Sequence, residues 1–180
     1  MRVKIVAISG SLRKGSSNTA VLRAAARLAP AGVQVALFDG IAGLPFFNPD
    51  LDDDELPAPV AAFRAVIGSA DALLISSPEY ARGVAGVMKN ALDWLVASLE
   101  FPGKPVALIN TSPRATHALA ALHLTLETMS ARIVDEACVT LPLLGAANGE
   151  DDIVGNAELA DVLRDAMTRF AAAVRSLQDA

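Results

Sequence analysis

The most constraining feature of the chain is a join near its start. Residues 3–8, Val-Lys-Ile-Val-Ala-Ile, form an apolar, largely β-branched run with the pattern of a buried strand. They pass into Ser9-Gly10-Ser11-Leu12-Arg13-Lys14-Gly15-Ser16-Ser17-Asn18-Thr19, and then into residues 20–28, an alanine- and leucine-rich stretch with helical character. A buried strand that turns at once into a helix commits a chain to α/β architecture, because the helix must return across the sheet. The junction is also a natural anion site. The first backbone N–H groups of a helix lack internal partners, and the helix dipole adds partial positive charge there. Ser11, Ser16, Ser17, Asn18 and Thr19 add neutral donors, and Arg13 adds a forked full charge. The plainer alternative is a polar turn closed by an N-cap at Ser17 or Asn18, with no ligand.

Two familiar phosphate loops do not fit. Gly10 and Gly15 have the spacing of a Walker loop, but Ser16 stands where its lysine belongs. Ser11 and Leu12 after Gly10 break the Gly-x-Gly-x-x-Gly dinucleotide pattern. What is left is a hydroxyl-rich loop suited to one terminal phosphate, as in a mononucleotide flavin site.

The rest of the chain repeats the alternation. Residues 33–38 read as a second strand and 57–68 as a helix with Val60, Phe63 and Ile67 on one face. Residues 71–77 form a third, continuously apolar strand, as expected for one covered on both faces. It ends in the loop Pro78-Glu79-Tyr80-Ala81-Arg82-Gly83, ahead of a helix over 85–99 carrying Met88, Leu92, Leu95 and Val96. A fourth strand over 104–109 runs into Asn110-Thr111-Ser112-Pro113-Arg114-Ala115-Thr116, then a helix over 116–130, a fifth strand over 133–141 and a final helix over 157–177. The carboxylates between Asp50 and Glu55 lack the alternation, central glycine and distal glutamate of a calcium loop, and read as a solvated approach to a helix. The sum is one flavodoxin-like, doubly wound domain over residues 1–180, with a five-stranded parallel sheet and helices on both faces. Ligands in such sheets bind beyond the carboxyl ends of the strands at the switch point, where the first, third and fourth strand-to-helix loops meet.

Composition narrows the partners. With 20 acidic against 15 basic residues the net charge is −5, which argues against nucleic acid or an anionic membrane surface. The 53% hydrophobic content describes a well-buried globular chain. Cys138, the one cysteine, excludes an internal disulfide and reads as a buried strand thiol. His117 and His123 lack ligand-spaced neighbours for zinc. No apolar run reaches membrane-spanning length and no leader precedes the first strand, so a cytoplasmic location is expected.

Three motifs in order, Gly10-Ser11-Leu12-Arg13-Lys14-Gly15-Ser16-Ser17-Asn18, Ser77-Pro78-Glu79-Tyr80 and Gly86-Val87-Met88-Lys89-Asn90-Ala91-Leu92-Asp93-Trp94, resemble the NADPH-dependent FMN reductase family, in its chromate, quinone and azo-dye reductase branch. The resemblance implies that Ser11, Arg13, Ser16 and Asn18, helped by Ser17 and Thr19, hold the FMN phosphate. It implies that Pro78, Glu79, Tyr80 and Ala81 line the isoalloxazine edge through backbone, with Arg82 and Gly83 in the same loop, and that Ser112 closes the other side. The family often has asparagine after Pro-Glu-Tyr, Pro-Gly before the next helix and a glycine-rich fourth loop. This chain has Ala81, Ala85-Gly86 and Ser112-Pro113-Arg114-Ala115-Thr116-His117 instead.

The resemblance further implies hydride transfer from NADPH or NADH through FMN to a quinone, flavin, azo compound or metal oxyanion, in a homodimer or homotetramer. The sequence offers no nucleophile or acid–base pair for other chemistry. A flavodoxin-like electron carrier and a flavin-binding regulatory module remain the competing readings. Arg82 is either a cation stabilising reduced flavin or a solvated arginine, or one paired with Glu79 or a neighbouring subunit; Arg114 is either a nucleotide-phosphate contact or solvated. Tyr80 either stacks or packs, and Trp94 belongs to the core or an interface.

Overall fold

A computed structural model describes residues 2–52, 56–143 and 149–179. The elements in chain order are β1 (Val3–Ser9), α1 (Ser17–Leu28), β2 (Val33–Leu37), α2 (Ala58–Ser69), β3 (Ala72–Ser76), β4 (Glu79–Tyr80), β5 (Gly83–Val84), α3 (Gly86–Asp93), β6 (Pro105–Asn110), α4 (Thr116–Thr128), β7 (Arg132–Ile133), β8 (Val139–Thr140), α5 (Glu150–Gly155) and α6 (Ala157–Gln178). The main sheet runs β2-β1-β3-β6-β7, with β8 pairing β6 beyond β7. Every pairing in it is parallel, which gives the expected flavodoxin-like order.

Strand alternation divides the interior into two layers. Ile5, Ala7, Leu74, Ala107 and Ile109 pack with Val21 and Leu22 of α1 and Leu163 and Phe170 of α6. Val6, Ile8, Leu73, Ile75, Val106 and Leu108 face the other way, onto Phe63, Ile67, Met88, Trp94 and Leu126. Every residue of β3 and β6 is buried, as strands covered on both faces must be. Each large apolar side chain so buried is worth about 1.5–3 kcal/mol.

Several sequence expectations need correction. α1 begins at Ser17, not Ala20, because Ser16 is its N-cap, accepting from the Thr19 N–H at 3.3 Å. The third helix stops at Asp93, leaving Val96 63% exposed instead of on the buried stripe. A short helix, α5, precedes the last one and was not expected. The fifth strand is split into β7 and β8 by a 3₁₀ turn over Asp135–Ala137. Cys138 closes that gap: its Sγ accepts from the Leu108 N–H at 3.3 Å and donates to the Val134 carbonyl at 3.5 Å, and burial pushes the thiol pKa up. The acidic approach to the second helix is not uniformly solvated. Asp52 is held by Arg64 at 2.7 Å with both side chains largely buried, while residues 53–55 lie outside the described ones.

The stretch after β3 is a hairpin, not an open loop. Glu79 pairs with Val84 and Tyr80 with Gly83, leaving Ala81 and Arg82 as the turn. Both have positive φ, 49° and 59°, the geometry of a type I′ turn that Asn-Gly suits best. Alanine has no side-chain means of offsetting the left-handed strain. Ala81→Asn is expected to raise stability by about 0.5–1 kcal/mol, read as a higher urea midpoint with an unchanged slope.

His123 ties α4, the helix beside the hairpin, to the 3₁₀ turn. Its Nε2 lies 3.2 Å from Asp135 and its Nδ1 3.4 Å from Glu127. The Asp135 hydrogen bond is the main cause that raises its pKa; burial opposes this and Glu127 adds to it. Folding therefore favours the imidazolium, a contribution complete below the unfolded value of about 6.5 and lost as pH rises through the higher folded value. The stability difference between the wild type and His123→Gln is expected to shrink as denaturation is repeated from about pH 5.5 to about pH 8.5.

Candidate functional site

β1, β3 and β6 end side by side, and each ends in polar residues: Ser9, then Ser76-Ser77, then Asn110-Thr111. These residues, of which the sequence reading made no site contacts, knit the loops together. Their signal was available as the polar residue or pair that closes each apolar strand. The Gly10 N–H donates to the Ser76 carbonyl at 2.8 Å. A Cβ on Gly10 would clash with the Ser77 hydroxyl and sit 2.8 Å from the Ser77 Cβ, so only glycine lets the first and third loops touch.

Within the first loop the hydroxyls are mostly engaged with the chain itself. Ser9 Oγ and Thr19 Oγ1 are 2.8 Å apart, Ser9 Oγ accepts from the Ser11 N–H, and Ser11 Oγ accepts from the Arg13 N–H. Asn18 reaches furthest. Its buried Oδ1 accepts from Ser76 Oγ at 2.9 Å and from Thr111 Oγ1 at 3.3 Å, pinning the first turn of α1 to the ends of β3 and β6. Asn18 therefore meets any ligand through its amide nitrogen, which has no acceptor among the described residues.

A cleft of about 360 Å³ opens here. The first loop contributes Asn18, the third Ser77, Pro78 and Glu79, and the fourth Asn110, Thr111, Ser112, Arg114 and Ala115. Of the residues expected at the site, Asn18, Pro78, Glu79 and Ser112 are thus brought together. Ser16 and Thr19 line a smaller cavity of about 130 Å³ with Lys14, Gly15, Arg23 and Glu150. Ser11 and Arg13 lie along the loop, with the Arg13 side chain exposed, and Ser17 opens α1. Tyr80, Ala81, Arg82 and Gly83 project on the hairpin and do not line the cleft; Tyr80 is 54% exposed.

Glu79 contributes more than backbone. Its Oε2 accepts from the Ala118 N–H at 2.9 Å and so caps α4, whose own N-cap residue, Ala115, offers no side-chain acceptor. That commitment places it on α4, and no Arg82–Glu79 ion pair forms among the described residues. Trp94 is fully buried, its indole N–H donating to the Pro45 carbonyl at 2.8 Å and its ring meeting Phe47 edge-on. Among the described residues no group of three or more His, Cys, Asp or Glu could hold a metal ion.

The α1 end is chemically suited to a phosphate. The Ser17 and Asn18 N–H groups have no partner among the described residues, and no acid occupies the helix's first turn. Arg13 stands beside them with no ion pair among the described residues. A mononucleotide site at the switch point of a flavodoxin-like sheet is the class this fold and site define.

Known proteins agree with that class. A sequence profile of the NADPH-dependent FMN reductase family matches residues 3–143. An NAD(P)H-dependent FMN reductase of Pseudomonas aeruginosa is 45% identical over 68% of this chain and 67% of its own. A quinone reductase of Pseudomonas putida is 34% identical over 95% of this chain and 94% of its own. Among solved structures, the flavoenzyme NAD(P)H:acceptor oxidoreductase FerB of Paracoccus denitrificans superposes with a TM-score of 0.81 at 29% identity, covering 97% of this chain and 98% of that one. A flavodoxin-type, WrbA-like protein of Agrobacterium tumefaciens, at 14% identity and a TM-score of 0.59 over 98% of this chain and 99% of its own, shares the fold. The chain belongs to the NADPH-dependent FMN reductase family. It is an oxidoreductase of that family, with FMN as cofactor and NAD(P)H as reductant.

Because the cleft depends on the approach of the first and third loops, Gly10→Ala is expected to destabilise the fold by about 1–3 kcal/mol. Adding Ser77→Gly should recover part of that loss. A double-mutant cycle of urea unfolding reads the coupling between the two positions.

Proposed function

We propose that the chain is one FMN-binding domain over residues 1–180, reducing a small acceptor such as a quinone, free flavin, azo compound or metal oxyanion at the expense of NAD(P)H. The observation that carries the reading is the three-loop cleft beside the acid-free start of α1, where the Ser17 and Asn18 N–H groups have no partner among the described residues. Ser11, Arg13, Ser16, Ser17, Asn18 and Thr19 form the phosphate end. Here Arg13 and the free N–H groups of Ser17 and Asn18 do the binding, while Ser16 and Thr19 hold the helix start in shape. The backbone of Pro78 and Glu79 borders the ring system on one side and Ser112 on the other. Tyr80, Ala81, Arg82 and Gly83 form a hairpin flap beyond it.

Bound FMN supplies two-electron chemistry between nicotinamide and acceptor; the protein contributes position and electrostatics. Asn18 presents an amide donor fixed by two hydroxyls. Glu79 locks the third loop to α4, so the cleft wall is preset before a ligand arrives.

The electron-carrier alternative needs exposed rings to sandwich the flavin. Trp94 is buried and hydrogen-bonded, which leaves Tyr80 alone among the larger polar aromatics and favours the reductase. Exposed Val96, Leu99 and Leu124, near the end of α3 and on α4, support assembly as a homodimer or homotetramer. No helix among the described residues is long and apolar enough to cross a membrane. Dependence on a reduced nicotinamide nucleotide supports a cytoplasmic location.

The test is stopped-flow mixing of FMN-loaded protein with NADPH and, separately, NADH. Loss of the oxidised flavin absorbance near roughly 450 nm within the turnover time is the expected result. A flavin left oxidised by both nucleotides would exclude the reductase and leave the carrier.

A further inference from the structure

We propose that Arg114 reads phosphate on the incoming nicotinamide nucleotide, and so sets nucleotide affinity and selection; this rests on the reductase reading above. Among the described residues, Arg114 is the one cation lining the cleft of about 360 Å³. Glu79 is its one carboxylate, and that carboxylate already accepts the Ala118 N–H and offsets the positive end of α4. Arg114 itself makes no ion pair among the described residues. The Arg114 guanidinium is therefore left without a carboxylate partner among the described residues of the cleft.

The loop that carries this charge is braced. Asn110 spans it, donating from Nδ2 to the Ser112 carbonyl at 2.7 Å and accepting at Oδ1 from the Ser112 N–H at 3.2 Å. Ser112 Oγ accepts from the Arg114 N–H at 3.3 Å, and the Ala115 N–H returns to the Ser112 carbonyl at 3.0 Å. Pro113 fixes a further backbone angle. The base of the side chain is thus set while its exposed guanidinium is left to reach a ligand, which lowers the ordering loss on binding.

Other cations are placed for other tasks. Arg13 belongs to the α1 end, Lys14 and Arg23 line the small cavity with Glu150, and Arg82 sits at the hairpin tip. The chain as a whole carries a charge of −5, so a multiply charged nucleotide approaches against the net field and needs a local cation. The planar fork of arginine matches phosphate oxygens two at a time. A neutral quinone presents nothing comparable, so Arg114 acts on the reductant and not on such an acceptor.

Arg114→Ala and Arg114→Lys, each loaded with FMN, test this by titration calorimetry with NADP⁺ and by steady-state kinetics with NADPH, NADH and neutral benzoquinone. Losing the charge-assisted contact is expected to weaken NADP⁺ binding about tenfold or more, with Lys restoring part of the loss. The KM for NADPH should rise in step, FMN absorbance should be retained, and the KM for benzoquinone should stay put. A larger effect with NADPH than with NADH assigns the contact to the 2′-phosphate; equal effects assign it to the shared pyrophosphate. Unchanged nucleotide affinity with flavin retained overturns the proposal, as does loss of FMN from Arg114→Ala, which would place Arg114 in the cofactor site. Failure of the underlying reductase reading looks different: the wild-type flavin is then bleached by neither nucleotide, and this inference falls with it.

Discussion

The Oδ1 atom of Asn18 is the point on which the site depends. It lies in the first turn of α1 and accepts hydroxyl protons from the far ends of β3 and β6. Three segments distant in sequence are therefore fixed to a single buried oxygen. Buried polar groups are costly when unpaired, so both hydroxyls need this acceptor as much as it needs them. Gly10 makes the arrangement possible from the other side, since its missing Cβ lets the first loop lie against Ser77. The cleft follows as the space left between three loops held at that distance.

Much of this was legible in the chain. Continuous apolar runs at β3 and β6 announced strands covered on both faces, and the alternation with helices gave the strand order. The expected gathering of Asn18, Pro78, Glu79 and Ser112 also appears. What the sequence does not show is the work that side chains do for the fold. Ser16 caps a helix, and the Glu79 carboxylate caps another. Such tertiary roles join residues dozens of positions apart, and no local pattern carries them. The hairpin after Pro78 was hidden for a related reason, because Ala81 and Arg82 are poor turn formers and gave no turn signal. The break in the fifth strand was masked by β-branched residues on either side of it, Ile133, Val134 and Val139.

Electrostatics at the site is local, not global. An acidic chain gathers its useful positive charge from helix ends and single arginines, each with a limited range of about 8–10 Å in physiological salt. Arg13 and Arg114 stand on different loops, one beside the start of α1 and one in the cleft wall. That separation suits two phosphorylated ligands used together better than one ligand gripped twice.

The Glu79 cap has a further mechanical meaning. α4 runs for 13 residues, about 20 Å. It is tied near one end to the hairpin segment by Glu79, and further along to the split edge strand by His123 and Asp135. A rod fastened at both places cannot tilt at one without loading the other. The wall of the cleft and the outermost strand of the sheet are thus braced by one strut, and the geometry of the site draws on the integrity of an edge well away from it.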